Sequence, residues 1–582
     1  MTDEIDRAFV ERVRAALDGE VRATLDEAGG DAWRRMQHRR LAERVKALVA
    51  AWCDAGDDDL LAHAGRLAGM LRGRQGASGL FRGGDNVDSP PDSAFSVNDL
   101  GDAALLLRLS GRGGTAADRL AAALDGLLAA VTPALVTGGV HTPNHRWEIS
   151  AALARLHRLA PRAALADRVE QWLAEGVDIA DGLYSERSAN YAAHVSNPSL
   201  LVIAEVFDRP ELVDAVERNL TATLDLLLPD GSVETVLSRR QDQRSSIPLA
   251  PYLLPLRRVA RLRGRGDLAW AAGVAQAQGI VSPGDAAAQL RLDPAIGGTL
   301  PAPVEPARPR QRVFDEARLV MDHRPAATTV VFGGSDFPRH GRIRSGLANS
   351  PTFLRMYAGS VVLDSVRLSR VFFGRGPFRG DRFTVAHPEA GAATVVTMGE
   401  TVAASYYQPL AAGDRDAGGR YRLADDGRFS AAMDFERRER DEVALTTAVR
   451  VEITDGGAEL TVEVGGAEVD WALELAFRPG GAMSGARPSD GAGSWQLDAS
   501  ATGVPVRYQV GRDSLSVTVV EASDGAGGPL GPAAESPAYH PGEDYEFLGG
   551  TDAANGELLY LGGCAPARVR IDVKVETREY FG

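Results

Sequence analysis

Four prolines in ten residues, Leu300-Pro301-Ala302-Pro303-Val304-Glu305-Pro306-Ala307-Arg308-Pro309, separate two stretches of chain whose hydrophobic periods differ. Proline lacks an amide N–H and fixes φ, so regular helix is prevented there and an extended linker is expected. From Ile5 to about Leu292 the chain is a succession of Ala/Leu/Arg-rich segments broken at Gly, Pro or Asp, with apolar positions three or four apart. Those around 41–52, 120–128, 149–159, 200–207 and 212–228 show the helical period clearly. Roughly a dozen such segments, with no motif at a fixed period, suit antiparallel helix pairs closed into a ring rather than a repeat solenoid.

After the prolines the period changes to two. Val443, Leu445, Thr447, Val449, Val451 and Ile453 alternate with more polar residues, as do Leu460, Val462, Val464 and then Val569, Ile571, Val573, Val575. Each run offers one buried strand face, and turns such as Asp455-Gly456-Gly457 and Asp524-Gly525 punctuate them. The expected architecture is an (α/α) toroid, an incomplete helical barrel, over residues 1–298, a linker over 299–312, and an antiparallel β-sandwich over 313–582.

Composition narrows the function. The formal charge of the 582 residues is −15 with no long block of like charge, which argues against general attraction to nucleic acid or anionic membranes. Cys53 and Cys564 stand at opposite ends, against both a disulfide framework and a cysteine zinc site. Residues 1–6 are acidic rather than a basic stretch feeding an apolar run, and no uninterrupted apolar stretch suffices to span a bilayer, so a cytoplasmic protein is expected.

Chemistry concentrates in three segments. In Gly139-Val140-His141-Thr142-Pro143-Asn144-His145-Arg146-Trp147-Glu148, Pro143 discourages helix at Thr142, while Ile149, Leu153 and Leu156 recur at helical spacing. Asn144 and His145 therefore stand at a helix mouth, where unpaired N–H groups attract anions and an imidazole can trade protons near neutral pH; the alternative is a helix cap beside a surface histidine. The second segment runs from Asp181-Gly182-Leu183-Tyr184-Ser185-Glu186 through Tyr191 to His194, a polar and aromatic stretch between helices. Tyr191 can exchange a proton if a nearby cation assists it, and His194, within one turn, is one candidate neighbour. Tyr184 equally suits packing against a helix. The third, Ser238-Arg239-Arg240-Gln241-Asp242-Gln243-Arg244, combines guanidinium groups and amides suited to a carboxylate or sugar hydroxyls, or simply to a solvated face.

The helical half, the sandwich half, the Asn144-His145 pair and the Asp181-Gly182-x-Tyr184 loop with Tyr191 together resemble the heparinase II/III-like polysaccharide lyases, and alginate lyases of the same architecture. The resemblance implies that Asn144 and His145 neutralise a uronate carboxylate and that Tyr191 takes and returns protons during β-elimination. On this reading Arg146, Glu148, Tyr184, Glu186, His194, Arg239, Arg240 and Gln241 contact substrate.

The chain departs from that family where a pattern like His-x-His-x-Asp-x-Gly-Ser-Phe is usual, having Ser345-Gly346-Leu347-Ala348-Asn349-Ser350-Pro351-Thr352-Phe353 instead. His340, Arg342 and Arg344, just upstream, are the candidates to take that place, with Tyr407 at a strand end. Asn86 belongs to a loop, Asp85 to Phe95, that Pro90-Pro91 is expected to hold extended against the cleft; a capped helix start at Asp92 or Ser93 competes with it. No metal is assigned: Pro143 interrupts the His141/His145 spacing, and His387 and His540 are isolated. No cofactor is expected. The partner expected is a uronate-containing oligosaccharide or polysaccharide; an inverting glycoside hydrolase using Glu148, Glu186 or Asp181, and a non-catalytic carbohydrate-binding protein, are the competing readings.

Overall fold

The computed structural model describes residues 4–28, 32–307, 310–386, 393–532, 539–540 and 555–576; His387 lies outside them. Contacts divide the chain into two compact units. The first runs to Leu227 and adds Gly231–Val233 and Ser246–Ala307; the second takes Leu228–Asp230, Glu234–Ser245 and everything after Ala307. The arginine-bearing segment is thus part of the second unit, although it precedes the prolines by more than fifty residues.

The first unit is a toroid of helices in two layers. His38–Ala55, Pro90–Leu109, His145–Leu159, Asn197–Phe207 and Leu253–Arg263 follow one another inside, and Pro283–Leu292 packs back on His38–Ala55. Asp58–Arg74, Thr115–Thr137, Ala163–Leu173, Pro210–Asp225 and Gly266–Gln278 alternate with them outside. Layering follows from side chains: Pro90–Leu109 is buried on nearly every side, as an inner helix is, whereas Pro210–Asp225 buries one face through Leu212, Val216, Leu220 and Thr223. Thr115–Thr137 is long and apolar enough to cross a membrane by length and composition, although Asp118, Arg119 and Asp125 interrupt its apolar run. Here it packs on Asp58–Arg74, Pro90–Leu109, His145–Leu159 and Ala163–Leu173 and buries Leu120, Leu124, Leu127, Val131 and Leu135.

Pro90 and Pro91 are not extended. They form the first turn of their helix, with the Ser89 side chain accepting from the Asp92 amide (3.2 Å). A first-turn amide has no helical acceptor to lose, which is why two prolines are tolerated there.

The second unit is a sandwich of an eight-stranded and a nine-stranded sheet. Arg440–Thr454 and Gly457–Gly466 form the expected hairpin around Asp455-Gly456, with Leu445, Val449, Val451, Leu460 and Val462 inward. These meet Val366, Leu368, Leu473 and Leu475 of the other sheet in one core. Nearly all ladders are antiparallel; Ser494–Gln496 runs parallel to Glu557–Cys564.

Candidate functional site

Pro143 and the turn before it place Asn144 at the N-cap of His145–Leu159, yet Asn144 does not cap. Its backbone is helical (φ −66°, ψ −24°), and its side-chain oxygen accepts from the Thr142 hydroxyl at 2.7 Å. Asn144 is 1% exposed, and its amide nitrogen has no hydrogen-bond partner among the described residues. His145 is also buried and meets the His141 ring edge-on at 4.7 Å between centroids. Arg146 lies over Trp147 and is paired with Glu175 at 2.8 Å.

One turn further, Glu148 points into the ring. Its carboxylate accepts from the Asn98 amide at 2.6 Å, with the Ser199 hydroxyl at 3.5 Å. Burial pushes its pKa up to about 7, against the Asn98 hydrogen bond and the positive field of Arg155.

Tyr191 ends a single helical turn whose start is capped by Ser188, the hydroxyl accepting from the Tyr191 amide at 3.1 Å. The chain then widens into a π-turn over Ala192–Ser196, an irregularity common at functional sites. Tyr252 donates to the Ala189 carbonyl (2.7 Å) and holds this turn from a neighbouring element. Tyr184 is buried and donates to Asn197 at 2.7 Å, the packing role its sequence also allowed; Glu186 is buried nearby in sequence.

The charged neighbour of Tyr191 is Arg39, which no sequence pattern singled out. Burial lowers the Arg39 pKa, while Asp85, Glu148, Tyr191 and Glu43 act in the opposite sense. The guanidinium stacks over Phe95 at 4.1 Å and is ion-paired with Asp92, which also accepts from the Asn86 amide nitrogen at 2.8 Å. His194 has its pKa lowered, chiefly by burial, so at neutral pH it is an uncharged hydrogen-bonding ring rather than the assisting cation.

Arg39, Glu148 and His194 share a cavity of 430 Å³ inside the toroid, whose walls also include Lys46, Asp99, Arg155, Ser199 and Asp285. Lys46 lies 2.6 Å from both Asp99 and Asp285, and burial pushes Asp99 up to about 7.

The remaining candidates belong to the second unit. Arg239 grips Asp336 with two hydrogen bonds (2.9 and 3.1 Å), Arg240 is buried with its amide on Ser238 (3.0 Å), and Gln241 donates to Ser345 (3.1 Å). His340 ends a four-residue helix and is exposed, as are Arg342 and Arg344. Tyr407 stacks on Phe435 at 4.6 Å. Among the described residues no group of three or more His, Cys, Asp or Glu side chains is placed to hold a metal ion.

No family model matches this sequence, and no curated protein matches it. Solved structures do. Over 91% of this chain and 74% of the other it superposes on heparinase III, with a TM-score of 0.51 and 13% identity. A second heparinase III gives 0.53 at 11% identity, covering 92% and 78% of the two chains. The Streptomyces coelicolor A3 chondroitin AC lyase, solved with chondroitin sulphate, gives 0.50 at 13% identity over 97% and 78%. The toroid-plus-sandwich fold is therefore that of the heparinase-like polysaccharide lyases.

Proposed function

We propose that this chain is a polysaccharide lyase that cleaves a uronate-containing glycan by β-elimination. The observation that carries the proposal is the buried Asn144 amide nitrogen, which has no partner among the described residues and lies beside His145 at a helix mouth. Leaving a buried donor unsatisfied costs about 1–3 kcal/mol. Such a donor is expected where a ligand brings the acceptor, and a carboxylate is the acceptor a helix mouth favours. The shared fold, and the chondroitin sulphate bound by one of its members, support a glycan as that ligand.

In the reaction, the C5 proton of the uronate leaves while negative charge builds on the carboxylate. Asn144 and His145 hold that charge, and Arg39 adds a positive field beside Tyr191. The Tyr191 phenolate, or His145 when the proton lies on the other side, takes the proton. The C5–H electron pair becomes the C4–C5 double bond, the C4–O bond breaks towards oxygen, and Tyr191 returns a proton to that oxygen. Arg239, Arg240, Gln241, His340, Arg342, Arg344 and Tyr407 of the second unit, with Arg146, Tyr184, Glu186 and Asn86 of the first, remain proposed substrate contacts; Arg146 and Arg239 would first have to release Glu175 and Asp336.

The test is incubation with a panel of uronate oligosaccharides while following the ultraviolet absorbance of the conjugated product. Wild type is expected to produce it and Tyr191→Phe to lose it; a panel without any unsaturated product refutes the lyase. One observation favours a second reading. Two ring-cavity carboxyls, Glu148 and Asp99, titrate near 7, as a general acid of an inverting hydrolase requires. A saturated product, lost in Glu148→Gln but not in Tyr191→Phe, would establish that reading instead.

A further inference from the structure

Residues 234–245, which carry Arg239, Arg240 and Gln241, lie wholly in the second unit and have a buried start and an exposed end. Val236 and Leu237 are buried, whereas Gln241 and Arg244 reach the surface. Apolar burial holds such a segment in its unit but is non-directional, so it does not decide which way the polar end faces. Direction comes from Glu234. One oxygen of its carboxylate accepts from the amides of Thr235 (2.8 Å) and Val236 (2.7 Å), the next two residues of its own chain, and from the Arg355 guanidinium at 2.5 Å. Arg355 is a fixed point, because its strand, Leu354–Ala358, is paired on both sides within the nine-stranded sheet.

As a source of stability this pair is poor. Both side chains are buried, yet the second oxygen of Glu234 and the Nε of Arg355 have no hydrogen-bond partner among the described residues. A buried ion pair left partly unsatisfied stabilises a fold less than apolar residues of the same size would. What it supplies is position: a carboxylate bound at once to a sheet and to two consecutive amides fixes the course its chain takes next. Beyond it the segment is docked on one loop of the same unit. The Arg239 side chain holds Asp336, its carbonyl accepts from the Gly346 amide (2.8 Å), Gln241 donates to Ser345, and Gln243 donates to the Leu347 carbonyl (3.2 Å). The loop that lacks the family's histidine pattern thus serves here as a dock.

We propose that Glu234 is a positioning residue: anchored on Arg355, it sets the course of the segment that presents Arg240 and Gln241 to the glycan. This rests on the lyase reading, in which those two side chains contact substrate. Glu234 itself is 1% exposed and acts only through them.

Steady-state kinetics and calorimetry on the full chain, with uronate oligosaccharides as probes, test this. Glu234→Gln keeps an oxygen for the two amides but withdraws the charge that holds Arg355. It should raise KM about tenfold or more and leave kcat within about threefold, the pattern of lost binding that is equal in ground and transition states. In a chain already carrying Arg240→Gln and Gln241→Ala, adding Glu234→Gln should raise KM by less than about twofold, because the groups it positions are gone. The double variant Glu234→Leu/Arg355→Met replaces the buried pair by apolar residues, so it should melt at least as high as Glu234→Gln while its KM stays raised; it decides the matter if the glutamine chain fails to fold. An unchanged KM in either variant, or a Glu234→Gln effect that persists in full without Arg240 and Gln241, overturns the proposal. Unsaturated product formed with KM unmoved leaves the lyase without this role for Glu234. Oligosaccharide binding that weakens in Glu234→Gln, in a chain that forms no unsaturated product, leaves the positioning role without the lyase.

Discussion

Replacing Glu148 by glutamine should make the protein more stable in alkali, not less. Burial among helices lifts this carboxyl from its ordinary 4.5 to about 7. The neutral form is therefore favoured in the fold, and the sign follows: stability is fully present below the unfolded pKa and is lost as pH rises through about 7. At 1.36 kcal/mol for each tenfold in the ionisation equilibrium, ionising Glu148 inside the ring costs the fold about 3 kcal/mol. Glutamine keeps the shape and an oxygen for Asn98 but cannot ionise. The other groups around this carboxyl, Arg39 and Lys46 on one helix, Asn98 and Asp99 on the next, Arg155 on its own, His194 in the π-turn and Asp285 on a further helix, are present in both proteins and cancel in the comparison. Thermal melting followed by helical circular dichroism is the assay. Below about pH 4 the two proteins should melt together, the difference should open between about pH 4.5 and 7, and at about pH 9 Glu148→Gln should melt higher by about 5 °C or more. Melting curves that stay parallel across that range would show that Glu148 is ionised at little cost, and the burial argument would fall.

Three further outcomes follow from particular contacts. Asn144→Ala should cut unsaturated-product formation by about a hundredfold to a thousandfold, as loss of one oxyanion donor does, while denaturant unfolding shows a loss of no more than the Thr142 hydrogen bond, about 0.5–1.5 kcal/mol, because the amide nitrogen has no partner among the described residues. Tyr191→Phe should abolish turnover yet leave binding of an oligosaccharide product, read by calorimetry, within about threefold, since only proton transfer is removed. In the sandwich, Arg367 donates to Glu474 at 2.7 Å with both side chains buried, and Arg367→Met should destabilise by about 3–5 kcal/mol in denaturant unfolding. Adding Glu474→Leu should recover most of that loss.

The elements were easier to read from sequence than the site. Two periods of hydrophobicity suffice for helices and strands: 443–453 alternates in the fold as it does in the sequence, and Pro143 stands in the turn just before a helix. Pro90-Pro91 misled because proline stops a helix at most positions and suits its first turn; Ser89, the capping residue, was the distinguishing signal. Arg39 escaped because it sits in an ordinary basic run, Gln37-His38-Arg39-Arg40, and acquires meaning only when the ring brings it to residues more than a hundred positions away. Glu148 was recognisable as a candidate but not as a carboxyl titrating near neutrality, since burial is a property of surroundings. The widening of the helix after Tyr191 has no composition of its own.

Glu234–Ser245 belongs to the unit whose other residues are made later, and this orders events during synthesis. Arg239 emerges 97 residues before Asp336, and Glu234 emerges 121 residues before Arg355, to which it is bound in the finished protein. At about 5–20 residues per second these charges wait roughly 5–25 s for their partners. A nascent chain halted at the prolines would hold most of a toroid with a polar strap that has nowhere to go. Its two acids and three arginines keep that strap soluble in the interval, and it joins its unit only when the strands arrive.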